Sequence, residues 1–329
     1  MQSEVSKIRQ NIMEAIRNND VQDLFVYLLV SMLTYHASLY YVVGDQIGYS
    51  NSYRAVRGVD PISAFKIYND FISTIELMHY SVVYLASNLS IDKEIFFSFV
   101  NGTLSVVVIR SLRKFDVNIF VCLFLVFTNY YLYVCYFAAE RLKIAILLLL
   151  VGVCLTRSVL SRIVFSAAAI MSHVSVILLF SGAALNRMLK ILKGGHHRSY
   201  WILLEVAAFL ISFSLMYAFF IDYILWKVYQ YNEDYQFTLR SLVPLILYVS
   251  LSLYYSEDKR GVVLDFIPVV IAFAVLGGSR VNMFAYIIFL KHGLQYNRGV
   301  SWGVAATSAY FAAKSFFFVR NVLETGQGF

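Results

Sequence analysis

Residues 137–145 read FAAERLKIA and set Glu140, Arg141 and Lys143 where one apolar run, Val117 to Phe137, ends and the next, Leu142 to Leu155, begins. Charge at such a junction is costly in an apolar solvent unless it is paired, hydrated or used. Composition says what the solvent is. The 329 residues are 60% hydrophobic, 17% aromatic and 14% charged, which excludes an ordinary soluble domain. Runs such as Leu24 to Val43, Val117 to Phe137 and Trp201 to Ile221 have the roughly 20 residues that a helix needs to cross about 30 Å of hydrocarbon.

The expected fold class is therefore all-α: a polytopic integral membrane protein, residues 1–329 forming one transmembrane domain of roughly ten helices, some of them short or re-entrant half-spans. The polar segment 1–21 carries Lys7, Arg9 and Arg17 and precedes a long apolar run without a small-residue cleavage site, so it reads as a cytoplasmic N-terminal segment. The net charge of +7 is spread over short loops, which suits positive-inside topology and gives no reason to expect nucleic acid. Cys122, Cys135 and Cys154 fall inside apolar runs and read as packing residues.

With the N-terminus inside, residues 44–93 form the longest connection, on the external side. Asp60-Pro61 predicts a helix start, Asp as N-cap and Pro at the first helical position, and Phe65, Tyr68, Phe71, Ile72 and Ile75 follow at amphipathic spacing. A short buried or re-entrant piece is expected through Val82 to Leu89. Ile163 to Leu185 has basic residues at both ends, Arg157 and Arg162 before it and Arg187, Lys190, Lys193 and Arg198 after, so a hairpin of two half-spans with His173 near its outer tip is expected. Gly277, Gly278, Ser279 and Arg280 divide Val263 to Leu290 into two short spans.

This topology puts Arg54, Arg57, Arg141, Arg240 and Arg280 on the external side, where positive-inside bias does not require them. Each has a structural alternative in a salt bridge to Glu140, Asp45, Glu76 or Asp234, with Glu140 the expected counter-ion of Arg141. Five guanidinium forks on one face also suit an anionic ligand such as a phosphate. His173, between Ser172 and Ser175, is either a buried hydrogen-bonded imidazole or a functional base. His196-His197 read as residues of a basic loop, Glu233-Asp234 as a weak acidic pair, and no metal or cofactor is expected.

The ordered set of GDQIGYSNSYR with Asp45, Tyr49 and Tyr53, IELMHY with Glu76 and Tyr80, the Arg-x-x-Ile-Ala of Arg141, Ile144 and Ala145, SHVSVILLF around His173, and GGSRVNM with Arg280 resembles the EpsG-like branch of the Wzy polysaccharide (O-antigen) polymerases. The likeness runs from the first loop to about residue 290. It implies a glycosyltransferase of the class C type in the bacterial inner membrane, multi-pass, acting in O-antigen, capsule or exopolysaccharide synthesis, with lipopolysaccharide as one product context. Such an enzyme moves a glycan from undecaprenyl pyrophosphate onto a second lipid-linked oligosaccharide repeat at the external leaflet. The implied site has Asp45, Glu76 and His173 as catalytic candidates, beside Asp60. Arg54, Arg57, Arg141, Arg240, Arg280, Tyr49 and Tyr53 would bind pyrophosphate and glycan. Membrane lipids, a chain-length regulator and a flippase are the implied partners. The alternatives are a lipid-linked oligosaccharide flippase or other secondary transporter, for which no duplicated halves are visible, a ligase that transfers finished glycan to a lipid A core, and a membrane acyltransferase.

Overall fold

Hydrophobic periodicity resolves into helices, and among the described residues there is no strand, so the chain is all-α. The computed structural model describes residues 2–74, 76–192 and 239–328, together with Tyr229. The expected span Trp201 to Ile221, His196-His197 and the Glu233-Asp234 pair lie outside the described residues.

Helix α1, Gln2–Ser38, packs along α5, Lys93–Arg113. Gly102 permits this close approach, because a Cβ there would meet the Tyr27 carbonyl oxygen at 2.7 Å. At one end of the pair the buried carboxylate of Asp23 accepts from Arg110 Nε and Arg113 Nη1, both at 2.7 Å. Between α1 and α5 the expected amphipathic helix is α3, Pro61–Ile72, the expected short piece through Val82 to Leu89 falls on α4, Leu77–Asn88, and a further helix not expected from the sequence, α2 Asp45–Ala55, precedes them. The Asp60-Pro61 start holds: the Asp60 side chain accepts from the amides of Ile62 and Ser63, with Pro61 in the first turn.

The expected straight span from Val117 to Phe137 is broken. It forms α6, Ile119–Thr128, and α7, Tyr130–Phe137, which meet at 51°. Asn129 makes the break by capping the amides of Tyr131 and Leu132, and its Nδ2 donates to the Tyr286 hydroxyl at 3.1 Å. Next come α8, Glu140–Leu150, which ends in a π turn Val151–Leu155, and α9, Val159–Ser172. An extended His173 (φ −161°, ψ 112°) and a 3-10 turn lead into α10, Ile177–Leu192.

Helices α9 and α10 form the expected hairpin, since both run to the end where Lys114 meets the Cys154 carbonyl and Asn186 approaches Gly261. The chain closes with α11 Leu239–Tyr255, α12 Lys259–Leu276, α13 Gly278–Gly293 and α14 Trp302–Thr325. Gly277, at φ 86°, supplies the expected interruption between α12 and α13.

Polar contacts define two ends. Arg110, Arg113, Lys114 and Arg298 gather at a basic end, where the Arg298 carbonyl accepts from the Asn118 amide. At the opposite end Gly326 bonds Val42 and Val43, and Gln46 Nε2 donates to the Phe137 carbonyl at 2.6 Å. Between the ends, large apolar side chains face outward, among them Phe25 and Met32 on α1, Ile246 on α11 and Phe316 on α14, while Glu140, Lys143 and Asp265 are buried. Among the described residues one helix, Lys93–Arg113, is long and apolar enough by itself to cross a membrane, and the bent pair α6–α7 makes a second if it counts as one span. The other expected crossings among the described residues are shorter or carry charges within them, as α12 does with Lys259, Arg260 and Asp265.

Candidate functional site

The FAAERLKIA junction sits at the end opposite the basic one, where α8 begins. Successive residues on a helix point about 100° apart, so Arg141 leaves α8 in a different direction from Glu140, while Lys143, three residues after Glu140, shares the Glu140 face. Arg141 turns toward the short helices. Its Nη1 donates to Glu76 Oε2 at 2.8 Å, at the start of α4, and its Nε to the Tyr49 hydroxyl on α2 at 3.2 Å. The other Glu76 oxygen lies 2.6 Å from His173 Nδ1, in the break between α9 and α10. Ser172 Oγ donates to the Arg141 carbonyl at 3.0 Å and ties α9 to α8.

Four of the expected site residues, Glu76, Arg141, His173 and Tyr49, thus converge from four separate elements. The Glu76 side chain is 5% exposed, Arg141 19% and His173 26%, so the group is closed behind the carboxylate and open on the imidazole side. Burial alone would raise the Glu76 carboxyl; the adjacent His173 and Arg141 outweigh it and hold the group at about 2. With the carboxylate accepting at Nδ1, the His173 ring keeps Nε2 free of any partner among the described residues.

Glu140, the expected counter-ion of Arg141, belongs to a different group. It pairs with Lys93 Nζ at 3.0 Å, and Lys93 also donates to Gln46 Oε1 at 2.5 Å. Lys143 is buried below, donating to the Tyr136 carbonyl at 2.9 Å with its ammonium 4.9 Å from the Phe97 ring centre. Behind Tyr49 lies His79, edge-on at 5.8 Å between ring centres, its Nδ1 2.7 Å from the Tyr68 hydroxyl. Burial pushes His79 down to about 4, so its ring is neutral at pH 7, and burial pushes the Tyr49 phenol up to about 12.

Lys93, Gln46, His79 and Tyr68 were not singled out by sequence reasoning. Lys143 was legible as a charge two residues beyond Arg141 in an apolar run; the others carry no signal without their neighbours.

The remaining expected residues are elsewhere. Asp45 is exposed at the first turn of α2, and no hydrogen bond joins it to Glu76, Arg141 or His173. Arg54, Arg57 and Tyr53 line a separate open cleft of about 280 Å³ between α2 and the start of α5. Arg240 and Arg280 belong to the first turns of α11 and α13, which Asn282 joins by donating to the Ser241 carbonyl at 3.2 Å; their side chains lie outside the described ones. Among the described residues no three His, Cys, Asp or Glu side chains converge as a metal ion would need.

No family model matches the chain, and neither does any curated protein or solved structure.

Proposed function

We propose that the chain is a multi-pass membrane glycosyltransferase of the Wzy polymerase type, with Glu76, Arg141 and His173 at its reacting centre. The membrane reading draws support from the outward-facing apolar side chains, the buried charges and the basic residues gathered at one end. On this reading the basic end is cytoplasmic and the Glu76 group lies at the external leaflet, beside the headgroup of a lipid-linked donor.

The observation that carries the chemistry is the carboxylate–imidazole pair with one face open. Glu76 accepts from Nδ1–H and fixes the tautomer, which leaves Nε2 as the base for a sugar hydroxyl of the acceptor repeat. As that oxygen attacks the anomeric carbon, the bond from carbon to the pyrophosphate oxygen breaks and the lipid pyrophosphate leaves. Charge then grows on the leaving oxygen, and the terminal nitrogen of Arg141 not engaged by Glu76 is the donor placed to meet it. Glu76 and Tyr49 are positioning residues here, since they hold the Arg141 fork and the His173 ring.

The test is polymer formation by His173→Ala, Arg141→Ala and Glu76→Gln proteins in a polymerase-deficient strain, with membrane levels matched by immunoblot. Loss of polymer with a single lipid-linked repeat accumulating is expected for all three. Full-length polymer from His173→Ala would refute the base assignment, and accumulation of the repeat on the cytoplasmic leaflet would point to a flippase.

A further inference from the structure

The cleft beside the reacting group has a charge pattern of its own. Arg54 is exposed and makes no hydrogen bond or ion pair among the described residues. Arg57 commits only its Nε, which donates to the Ser87 carbonyl at 3.0 Å, so its two terminal nitrogens are uncommitted. Asp92 and Glu94 line the same cleft. One oxygen of Asp92 caps α5 by accepting from the Glu94 and Ile95 amides, and the Asp92 and Glu94 carboxyl groups lie within hydrogen-bond reach of each other. Lys93 also lines the cleft, but its charge is answered inward by Glu140 at 3.0 Å.

Two open guanidinium groups thus share the cleft with two carboxyl groups. A phosphate placed here would gain the arginines and meet the acids, and a cation would meet the reverse. A polyhydroxyl ring both donates and accepts, so it can engage the guanidinium donors and the carboxyl acceptors together. The cleft volume of about 280 Å³ falls just under the roughly 300–1,000 Å³ of drug-sized sites, which is room for one or two sugar units. Tyr53 also borders the cleft, almost wholly buried beneath it, with its hydroxyl donating to the Ile91 carbonyl at 3.0 Å.

We propose that this cleft is a carbohydrate subsite that holds uncharged sugar units of the oligosaccharide, and that it is not a pyrophosphate site. The proposal rests on the glycosyl-transfer reading for its ligand class. Its position fits that reading, because Lys93 on the cleft wall bonds Glu140, the chain neighbour of Arg141.

The experiment is saturation-transfer NMR on the full-length protein in lipid nanodiscs, with a mixture of glucose, galactose and N-acetylglucosamine as probes. Inorganic pyrophosphate, followed by phosphorus line width, is the competing probe. Saturation of a sugar is expected, with affinity reduced roughly tenfold in Arg54→Ala and in Glu94→Gln, the loss of one hydrogen bond to a charged group. Arg54→Lys, which keeps the charge and loses the fork, should behave like Arg54→Ala and guards against a folding artefact. No saturation by any of the sugars would overturn the proposal, as would saturation that survives Arg54→Ala and Glu94→Gln, or pyrophosphate broadening that Arg54→Ala abolishes. Polymer assays on the same variants separate the two levels. Polymer lost in His173→Ala with no sugar bound in the cleft rejects the subsite alone, whereas a bound sugar with polymer intact in His173→Ala rejects the assigned chemistry.

Discussion

Replacing Glu76 with Gln keeps the shape of the side chain and removes the charge that faces Arg141 and His173. Two hydrogen bonds to an ionised acceptor are at stake, 2.8 Å from Arg141 and 2.6 Å from His173, and bonds to charged groups contribute about 1.5–3 kcal/mol each. The amide oxygen of Gln can retain one of them. The same two contacts hold the carboxyl at about 2 against an ordinary 4.5, the direction expected when they favour the ionised form. Losing the bond that Gln cannot keep gives an expected loss of about 1.5–3 kcal/mol for Glu76→Gln at pH 7.

Arg141→Met leaves Glu76 buried with His173 as its one remaining partner and should cost a similar amount. Because the two residues share one interaction, the double variant should lose about 2 kcal/mol less than the sum of the single losses, within the range seen for contacting charged residues. The assay is equilibrium unfolding in mixed micelles followed by tryptophan fluorescence. The pH dependence has a definite sign. A carboxyl depressed in the folded state stabilises fully above its ordinary value of 4.5, and the contribution fades as pH falls toward about 2. Glu76→Gln should flatten that part of the profile. Strictly additive losses, or wild-type stability in Glu76→Gln, would refute the pairing.

Other perturbations test the frame around the site. Glu140→Ala strands Lys93 and buried Lys143 without their carboxylate; a loss of about 3–5 kcal/mol is expected, read as a sharp fall in monodisperse protein on size exclusion. Asn129→Ala removes the cap of α7 and the bond to Tyr286, which together are worth about 2 kcal/mol, and the expected readout is a lower unfolding midpoint. Gly102→Val drives a side chain into the Tyr27 carbonyl of α1; separation of α1 from α5 is expected, measured as faster proteolysis of α1, and unchanged cleavage would argue against that close contact.

The helices were legible because their signals are local. Asp60-Pro61 carries its own cap, Gly277 its own break, and apolar runs announce helices whatever surrounds them. Even the hairpin at His173 followed from basic residues on both sides of a run of one span length. The break at Asn129 was less legible, since an Asn in an apolar run declares itself a cap only once the chain turns away and Tyr286, 157 residues on, takes its amide.

The site divides in the same way. The residue types were readable: Arg141 and His173 stood out as polar groups in or beside apolar runs, and Glu76 and Tyr49 came from the resemblance to the polymerase family. Their partners were not. Arg141 has Glu140 as its chain neighbour and bonds Glu76, 65 positions earlier. Helix geometry rotates adjacent side chains about 100° apart, and the approach of α4 and α9 decides which carboxylate and which imidazole arrive. Sequence determined an all-α chain with charges set at the ends of apolar runs. Only the tertiary structure decided which of those charges neutralise one another and which stay open to a ligand, because ion pairing depends on distances across helices that no local pattern encodes.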